Sequence, residues 1–492
     1  MKARIILFAA AALAVVSCSK FLDIRMEATM PSAGIDYSKT DNIFLPVSAA
    51  YASMRLSEGR AQNYVGVMEI VSDDADKGSS ESDGPTVAQL DNFTYGPDNV
   101  HVEQMWNYYY DISSAANYAI ESMDLFTEAI TSESGQQMVA ECRGEAKIIR
   151  AYAYFNLVRL FGRVPIIDRS MSAAELASMQ VSSVESIYDF VYNDLDAAIA
   201  VVPESHTDYK GRYNKYTAMA LKAKVALYRK DWTEAARLTD AIIASGRFSL
   251  MSRFKDAFNV ENEYGSESLM EVGSSDLGQS TGGMPLCYYA FIQGPRGNKE
   301  PFQGWGYKVP SQRLVDFLDA REDHVRKAVT LLVRGETTPE GDFIDPGCAN
   351  PYYNGKVYVP TRLNNRSYNA YGLDHNMRLL RYADVLLMHA EAMAQGAAIS
   401  PASGYSATMA LNEVRSRAGL PAAEATLENI YEERRAELAL EENRFFDLVR
   451  WGLAPQVLGR LGFQAGKNEV FPIPSAQREL NPNLPATPGY TY

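Results

Sequence analysis

Apolar and small residues recur at 3.6-residue spacing over three long stretches of this 492-residue chain, at positions 42–60, 106–131 and 136–161. This spacing puts the apolar side chains on one face of a helix, so each stretch predicts packed helices. A further helix is expected over residues 184–199 on the same grounds. Helices therefore dominate the predicted structure of the first third of the chain.

Residues 217–246 carry the clearest internal pattern, two short helices joined by a tight turn. Alanines dominate the facing sides, where small side chains allow close approach, and Tyr228 and Trp232 bracket the turn. This segment resembles a tetratricopeptide helix pair, and residues 381–395 with 405–418 resemble a second one. Because stacked pairs bury a face that no single helix buries alone, the sequence predicts a mostly α fold, an alpha-alpha superhelix of such pairs.

Between residues 247 and 378 the helical pattern gives way to a stretch rich in Gly, Pro, Asn and Tyr. Helical periodicity survives there only near residues 311–320, so we expect a loop-rich insert with short strands. A second irregular tract covers residues 72–100 and is rich in Asp, Ser and Gly. Long irregular segments inside an ordered protein are commonly functional, and we interpret both tracts as candidate binding loops.

The first residues have the features of a secretory signal. Two basic residues precede a twelve-residue apolar run, residues 5–16, which is shorter than the ~20 residues that span a bilayer as a helix. The order Val-Val-Ser before Cys18 resembles a bacterial lipobox, in which cleavage before the cysteine leaves it as the lipidated first residue. We predict a signal peptide at residues 1–17 and membrane attachment through lipid at Cys18. An ordinary cleavage site with an incidental cysteine is the alternative.

After residue 17 the pattern predicts one large domain, residues 18–492, in three parts. Residues 18–246 form an N-terminal helical part, residues 247–378 the insert, and residues 379–492 a C-terminal helical part with a tail.

Charge and cysteine usage argue against several classes of protein. The chain has 47 Lys and Arg against 61 Asp and Glu, a net charge of −14, which repels nucleic-acid phosphates and anionic surfaces. We therefore expect no nucleic-acid partner. Apart from Cys18, the cysteines are Cys142, Cys287 and Cys348, an odd number without metal-ligand spacing, and we expect structural thiols and no bound metal.

The catalytic patterns in the sequence lack their required context. Residues 278–282 match the nucleophile pattern G-x-S-x-G, but Pro285 follows and prevents a prompt helix start. The five histidines are scattered. Asp73 and Asp74 are adjacent carboxylates that point apart in an extended chain, and we interpret them as surface acids. Residues 74–78, Asp-Ala-Asp-Lys-Gly, resemble the start of a calcium loop, yet the later ligands are missing. We predict no enzyme and no cofactor.

Residues 430–452 read IYEERRAELALEENRFFDLVRWG and resemble the hallmark segment of the SusD/RagB family of outer-membrane nutrient-binding lipoproteins. Further matching segments are Cys18 with Phe21-Leu22-Asp23, residues 146–165, Arg381-Tyr382-Ala383-Asp384 with Glu391, residues 411–415, and Phe471-Pro472-Ile473-Pro474 with Asn481-Pro482 and Gly489-Tyr490. The family usually has a Gln-Asn pair where this chain has residues 485–487, Pro-Ala-Thr. Opposite charges three and four positions apart support one helix over residues 430–452, with a structural role.

The resemblance implies four tetratricopeptide-like helix pairs with the insert packed against them. It implies a surface lipoprotein that caps a TonB-dependent outer-membrane transporter and captures glycans for import without cleaving them. Three alternatives stay open: a peptide-binding member of the same family, a glycan-degrading enzyme, and an interaction scaffold without a small ligand.

Sugar rings present apolar faces bordered by hydroxyls, so a glycan site needs exposed aromatic platforms beside polar groups. The first candidate platform is Trp305, between Gly304 and Gly306, because glycan-binding family members carry a stacking Trp in the corresponding segment. A Trp packed under the insert is the alternative. Tyr95 is the second candidate platform, and packing within its loop is the alternative.

Five polar and aromatic residues complete the candidate set. Asp73 resembles a family carboxylate near the ligand, and Asn99 a nearby amide. Tyr288 and Tyr289 lie in one segment with Arg296, and these three residues are further candidates for contact with the glycan. By contrast, Trp106, Trp232 and Trp451 are expected in the core.

Overall fold

The computed structural model describes residues 34–274, 287–298, 303–363 and 375–492. The predicted signal peptide, Cys18 and the G-x-S-x-G pattern lie outside these residues. Helices account for 54% of the structure and strands for 6%, which confirms the predicted mostly α class.

Eighteen α-helices are found in the described residues. The first nine are α1 (Leu45–Ser53), α2 (Glu58–Val65), α3 (Pro85–Asp91), α4 (Val100–Ala129), α5 (Glu133–Phe161), α6 (Ala173–Leu176), α7 (Val184–Val201), α8 (Lys215–Arg229) and α9 (Trp232–Ala244). The other nine are α10 (Tyr289–Gln293), α11 (Gln312–Ala320), α12 (His324–Thr330), α13 (Tyr382–Ala394), α14 (Ala407–Arg417), α15 (Leu427–Leu438), α16 (Arg444–Arg450), α17 (Ala454–Leu458) and α18 (Ser475–Leu480).

The helices stack in chain order. Helix α4 packs on α5, α5 on α7, α7 on α8, α8 on α9, α9 on α13, and α13 on α14 and α15. Local signals set the boundaries of the clearest pair, because Asn214 caps the start of α8 and Asp231 caps the start of α9. The pairs predicted at residues 217–246 and 381–418 are confirmed as α8 with α9 and α13 with α14.

The insert leaves the stack after α9 and returns to it before α13. Its short strands are β1 (Ala75–Gly78), β2 (Ser268–Val272), β3 (Tyr307–Pro310), β4 (Leu331–Val333), β5 (Tyr352–Asn354) and β6 (Met377–Arg381), of which β1 precedes the insert in the chain. They pair antiparallel as β1–β3, β2–β6 and β4–β5. The β2–β6 pair closes the base of the insert, while β1–β3 ties it to the irregular tract at residues 72–100.

The stretch at residues 42–60 contains two helices, α1 and α2, separated by a bend. Two expectations are corrected. The insert contains two short helices, α10 and α12, beside α11, which falls within the predicted residues 311–320. The hallmark segment is two helices, α15 and α16, because Leu440 and Glu442 adopt left-handed backbone conformations with φ of 63° and 57°.

The core is one large apolar cluster that runs through the stack and the insert. Trp106 is buried in it, as expected, whereas Trp232 and Trp451 are only half-buried. Cys142, Cys287 and Cys348 are buried free thiols, in agreement with a structural role.

Candidate functional site

Trp305 lies on the segment just before β3, half-buried at the edge of the core. Its backbone N–H donates to the carbonyl of Phe291 at 3.3 Å, and the Gly304 N–H donates to the carbonyl of Pro295 at 3.1 Å. The indole meets the Phe291 ring edge-on, with centroids 6.0 Å apart. Trp305 is therefore supported by Phe291 and remains partly accessible, so the stacking platform stays a prediction.

The glycines on either side of Trp305 fix where its backbone runs. A Cβ at Gly304 would lie 2.0 Å from the Phe291 carbonyl oxygen, which is too close for any side chain. Gly306 has a φ of 70°, and a Cβ there would lie 3.0 Å from Arg296 Cβ. Because only glycine fits at either position, the backbone on both sides of Trp305 can run close to Phe291 and Arg296.

Arg296 and Asp83 form an ion pair beside this segment. The Arg296 Nη2 to Asp83 Oδ2 distance is 2.7 Å, and the arginine side chain is 39% exposed. Ser79 donates its hydroxyl to Asp83 at 2.9 Å, and its N–H donates to the Gly306 carbonyl. Hydrogen bonds from Ser80 and Ser79, aided by Arg296, lower the pKa of Asp83, so this carboxylate is charged at neutral pH.

These contacts bring the two irregular tracts together at one place. Asp83 comes from the tract at residues 72–100, while Arg296 and Trp305 come from the insert. We call Asp83, Arg296 and Trp305 the Trp305 shelf. Sequence reasoning missed Asp83, whose only signal was its position in a stretch rich in Ser, Asp and Gly.

Tyr95 is not exposed, which corrects the expectation of a second platform. Only 2% of its surface is accessible, and its ring stacks near Phe471 and Tyr490, with centroid distances of 5.1 and 6.1 Å. Its hydroxyl accepts a hydrogen bond from Asn468 Nδ2 at 3.2 Å. Tyr95 therefore anchors the C-terminal tail and has no free face for a sugar.

Asp73 and Asp74 are also buried, so neither is a surface acid and Asp73 offers no open carboxylate to a ligand. Arg444 Nε donates to Asp73 at 2.7 Å, and Arg435 Nη2 lies 3.0 Å from Asp73 and 2.7 Å from Asp74. Burial opposes ionisation of Asp73, but Arg444 and Arg435 outweigh it and lower its pKa. The pair fastens β1 to the hallmark segment.

Asn99 uses its side chain to cap α4. Its Oδ1 accepts from the N–H groups of His101 and Val102, and its Nδ2 donates to Thr86 and Gln89. The predicted ligand amide is therefore fully engaged within the protein.

Tyr288 and Tyr289 are buried at the start of α10. The Tyr288 N–H donates to the Leu56 carbonyl at 2.9 Å. Tyr289 donates its hydroxyl to Glu442 Oε1 at 2.8 Å. Of the candidates read from the sequence, the structure thus leaves Trp305 and Arg296 at an accessible surface and encloses Tyr95, Asp73, Asn99, Tyr288 and Tyr289.

The described residues contain no group of three or more His, Cys, Asp or Glu side chains placed to hold a metal ion. Nor does any helix in the same residues combine the length and apolarity needed to cross a membrane.

Comparisons with known proteins agree with the fold. One family model, described as the SusD family, matches residues 338–468, and another, described as starch-binding associating with outer membrane, matches residues 20–227. SusD-like protein P2 of Formosa agariphila is 29% identical over the full length of both chains. These matches define a helical-repeat protein of SusD-like architecture.

Two solved structures share that architecture. A laminarin binding SusD-like protein is 26% identical, with 92% of this chain and 99% of that chain covered and a TM-score of 0.78. Surface glycan-binding protein A from Bacteroides fluxus is 25% identical, with 92% and 100% covered and a TM-score of 0.75. The chain belongs to the SusD/RagB family.

Proposed function

We propose that this protein is a cell-surface glycan-binding accessory lipoprotein of the outer membrane. It captures an oligo- or polysaccharide and delivers it to a TonB-dependent transporter, without catalytic turnover. Lipid at Cys18 holds it to the membrane.

The observation that carries the proposal is the Trp305 shelf. The half-buried indole, which packs edge-on against Phe291, presents an apolar surface, and the Arg296–Asp83 pair beside the Gly304–Gly306 segment supplies both donors and acceptors for sugar hydroxyls. A pre-organised site of this kind loses little entropy when a ligand binds. Similarity to a laminarin binding SusD-like protein and to a surface glycan-binding protein supports the same ligand class.

The variant Trp305→Ala tests the platform. Loss of one aromatic stacking contact is worth on the order of 1–3 kcal/mol by analogy with flat ligands, so affinity should fall roughly ten- to a hundredfold. Isothermal titration against a panel of neutral glycans, laminarin oligosaccharides included, measures the loss. Trp305→Phe keeps an aromatic face and should retain most of the affinity. Leu125→Ala, at an exposed position on α4, is the neutral control.

Thermal unfolding of the same variants separates stacking from packing. Trp305→Ala should leave the melting temperature nearly unchanged if the indole is a platform, whereas a core indole would cost ~3–5 kcal/mol of stability. Lost stability with retained affinity would remove Trp305 from the proposal. Release of reducing ends from the panel would identify an enzyme, and binding of peptides with no glycan bound would identify the peptide-binding alternative.

Anchoring and delivery are tested together in the native membrane. The wild-type chain should incorporate labelled fatty acid and co-purify with a transporter barrel from detergent-solubilised outer membrane. Cys18→Ala should abolish the label and release the protein. Persistent labelling of this variant, or consistent absence of a barrel from wild-type preparations, contradicts this part of the proposal.

A further inference from the structure

A cleft with two lobes, each about 220 Å³, lies between α1, the loop before α8 and the base of the insert. The lobes share the wall formed by residues 211–213 and Tyr264. We call the lobe lined by Phe44, Arg55, Tyr209 and Gly273 the Tyr209 lobe. It shares no residue with the Trp305 shelf.

Tyr209 is the most exposed large apolar side chain in the described residues, with 64% of its surface accessible. Its ring is nearly parallel to that of Phe44, with an interplanar angle of 11° and centroids 6.2 Å apart. Phe44 and Tyr209 both line the lobe. An exposed aromatic ring that lines a cleft is a platform of the kind that binds the apolar face of a sugar.

Tyr264 is held in a strained conformation in the wall between the lobes. Its φ is 55°, which a bulky residue adopts only when the surrounding structure imposes it, and such residues cluster at ligand-binding sites. A Cβ at Gly211 or at Gly273 would lie 3.0 or 2.6 Å from the Tyr264 hydroxyl. The two glycines therefore make room for the ring.

Arg55 brings into the Tyr209 lobe a positive charge that has no ion pair among the described residues. Arg55 donates from Nε to the Gly273 carbonyl at 3.1 Å, and no described carboxylate lies within ion-pair distance of it. Glu271 also lines the lobe, but its oxygens accept from the Tyr264 N–H and from Asn376 Nδ2.

The other cations that line the cleft differ in whether they have an ion-pair partner. Arg212 in the shared wall is paired with Glu145 and Asp208. In the second lobe Arg247 pairs with Glu204 at 2.6 Å, and Lys210 has no ion pair among the described residues. Arg55 and Lys210 are thus the cations lining the cleft that have no ion pair within the described part of the chain.

We propose that the Tyr209 lobe is a second saccharide subsite, selective for a sugar residue that carries a carboxylate, that is, a uronate. The pyranose ring stacks on the exposed ring of Tyr209. The carboxylate accepts hydrogen bonds from the Arg55 guanidinium, whose planar array of N–H donors fits the geometry of a carboxylate. This inference rests on the proposed glycan-binding function.

Isothermal titration with trigalacturonate and with its methyl ester tests the subsite. The free acid should bind the wild-type protein, and esterification should weaken binding by about tenfold or more, since it removes the charge that Arg55 recognises. Tyr209→Ala and Arg55→Gln should each weaken binding of the acid by about tenfold, as expected for loss of one stacking or bidentate contact. Phe343→Ala and Arg253→Gln are matched controls at exposed positions and should bind like wild type.

Three results overturn the inference: no binding of trigalacturonate at millimolar concentration, equal binding of acid and ester, or loss of binding in Trp305→Ala but not in Tyr209→Ala. The neutral glycan panel keeps the two proposals apart. If neutral glycans bind and depend on Trp305 while trigalacturonate does not bind, only this inference fails. If no glycan of either kind binds, both fail.

Discussion

Tyr95 connects the loop after α3 to the last quarter of the C-terminal part. Asn468 lies between two tyrosines and donates to the hydroxyls of Tyr95 and Tyr490, at 3.2 and 3.1 Å. The tail is held further by Thr487, whose hydroxyl accepts from the Ile473 N–H at 2.9 Å. The residues Pro-Ala-Thr that depart from the family pattern are therefore compatible with a docked tail.

Tyr95→Ala should strongly destabilise the protein. It deletes a fully buried ring from an aromatic stack, a change that typically costs ~3–5 kcal/mol of unfolding free energy. Tyr95→Phe removes only the hydroxyl contact with Asn468 and should cost about 1 kcal/mol. Urea denaturation of both variants measures the difference. A stable Tyr95→Ala variant with weakened glycan binding would instead restore Tyr95 as a ligand platform.

At the scale of elements, carboxylates on helix α15 and in the turn after it join the insert to the stack. Glu433 and Glu437 on the helix and Glu441 in the turn face cations from other elements. Their partners are Arg321 and Arg326 from the insert, Lys356 near β5, Arg381 at the end of β6, and Arg415 and Arg417 on α14. The expected ion pairs within one helix are thus replaced here by pairs between elements.

Glu437 is the centre of this network, so Glu437→Gln tests its importance. The carboxylate contacts Arg326, Arg381 and Arg417, and its removal leaves three buried guanidinium groups short of a partner. Breaking a buried pair in this way costs ~3–5 kcal/mol, and urea denaturation should show a loss of that order. Glu432→Gln on the same helix removes an exposed carboxylate paired with Arg321 and should cost less than about 1 kcal/mol. Equal losses in the two variants would contradict the network's role.

The sequence predicted those parts of the fold that depend on neighbours in the chain. Helices α8 and α9 carry their own caps at Asn214 and Asp231, and their apolar faces repeat within a few residues. It could not predict that Tyr95 is enclosed, because the enclosing rings of Phe471 and Tyr490 lie almost 400 positions away. The same holds for Asp73, whose burial depends on Arg435 and Arg444. Trp305 and Arg296 stay accessible because no distant segment among the described residues covers them.

At the scale of the whole molecule, buried acids make stability depend on pH in two opposite ways. Burial opposes ionisation of Glu437, but Arg417, Arg381 and Arg326 outweigh it and lower its pKa. Such a group stabilises the fold above its unfolded pKa of about 4.5, and the contribution is lost as the pH falls below that value. The network on α15 therefore predicts acid unfolding.

Glu69 behaves in the opposite way. It lies in the short π-helical segment Gly66–Ile70, fully buried, where the Glu442 N–H donates to it at 2.5 Å. Burial, reinforced by the nearby acids Glu442 and Asp74, raises its pKa to about 8 in spite of the opposing charge of Lys308. The native state holds this proton more tightly than the unfolded chain, whose pKa is 4.5. The contribution of Glu69 to stability therefore falls as the pH rises from about 4.5 to 8.

Glu69→Gln isolates this contribution, because glutamine resembles the protonated acid and does not titrate. At pH 5 the variant and the wild type should have similar free energies of unfolding, and at pH 8 the variant should be more stable. The difference should grow by at most about 1.4 kcal/mol per pH unit and level off above pH 8. Taking the difference is necessary because buried His101, whose pKa burial lowers to about 4, adds stability as the pH rises from about 4 to 6.5 in both proteins. Urea denaturation at intervals from pH 5 to 8.5 measures the difference in unfolding free energy between Glu69→Gln and the wild type. Glu432→Gln is the exposed control, and its difference from the wild type should not change with pH in this way. A difference that stays constant with pH would mean that Glu69 is already ionised at pH 5 in the folded protein, and that Lys308 outweighs its burial.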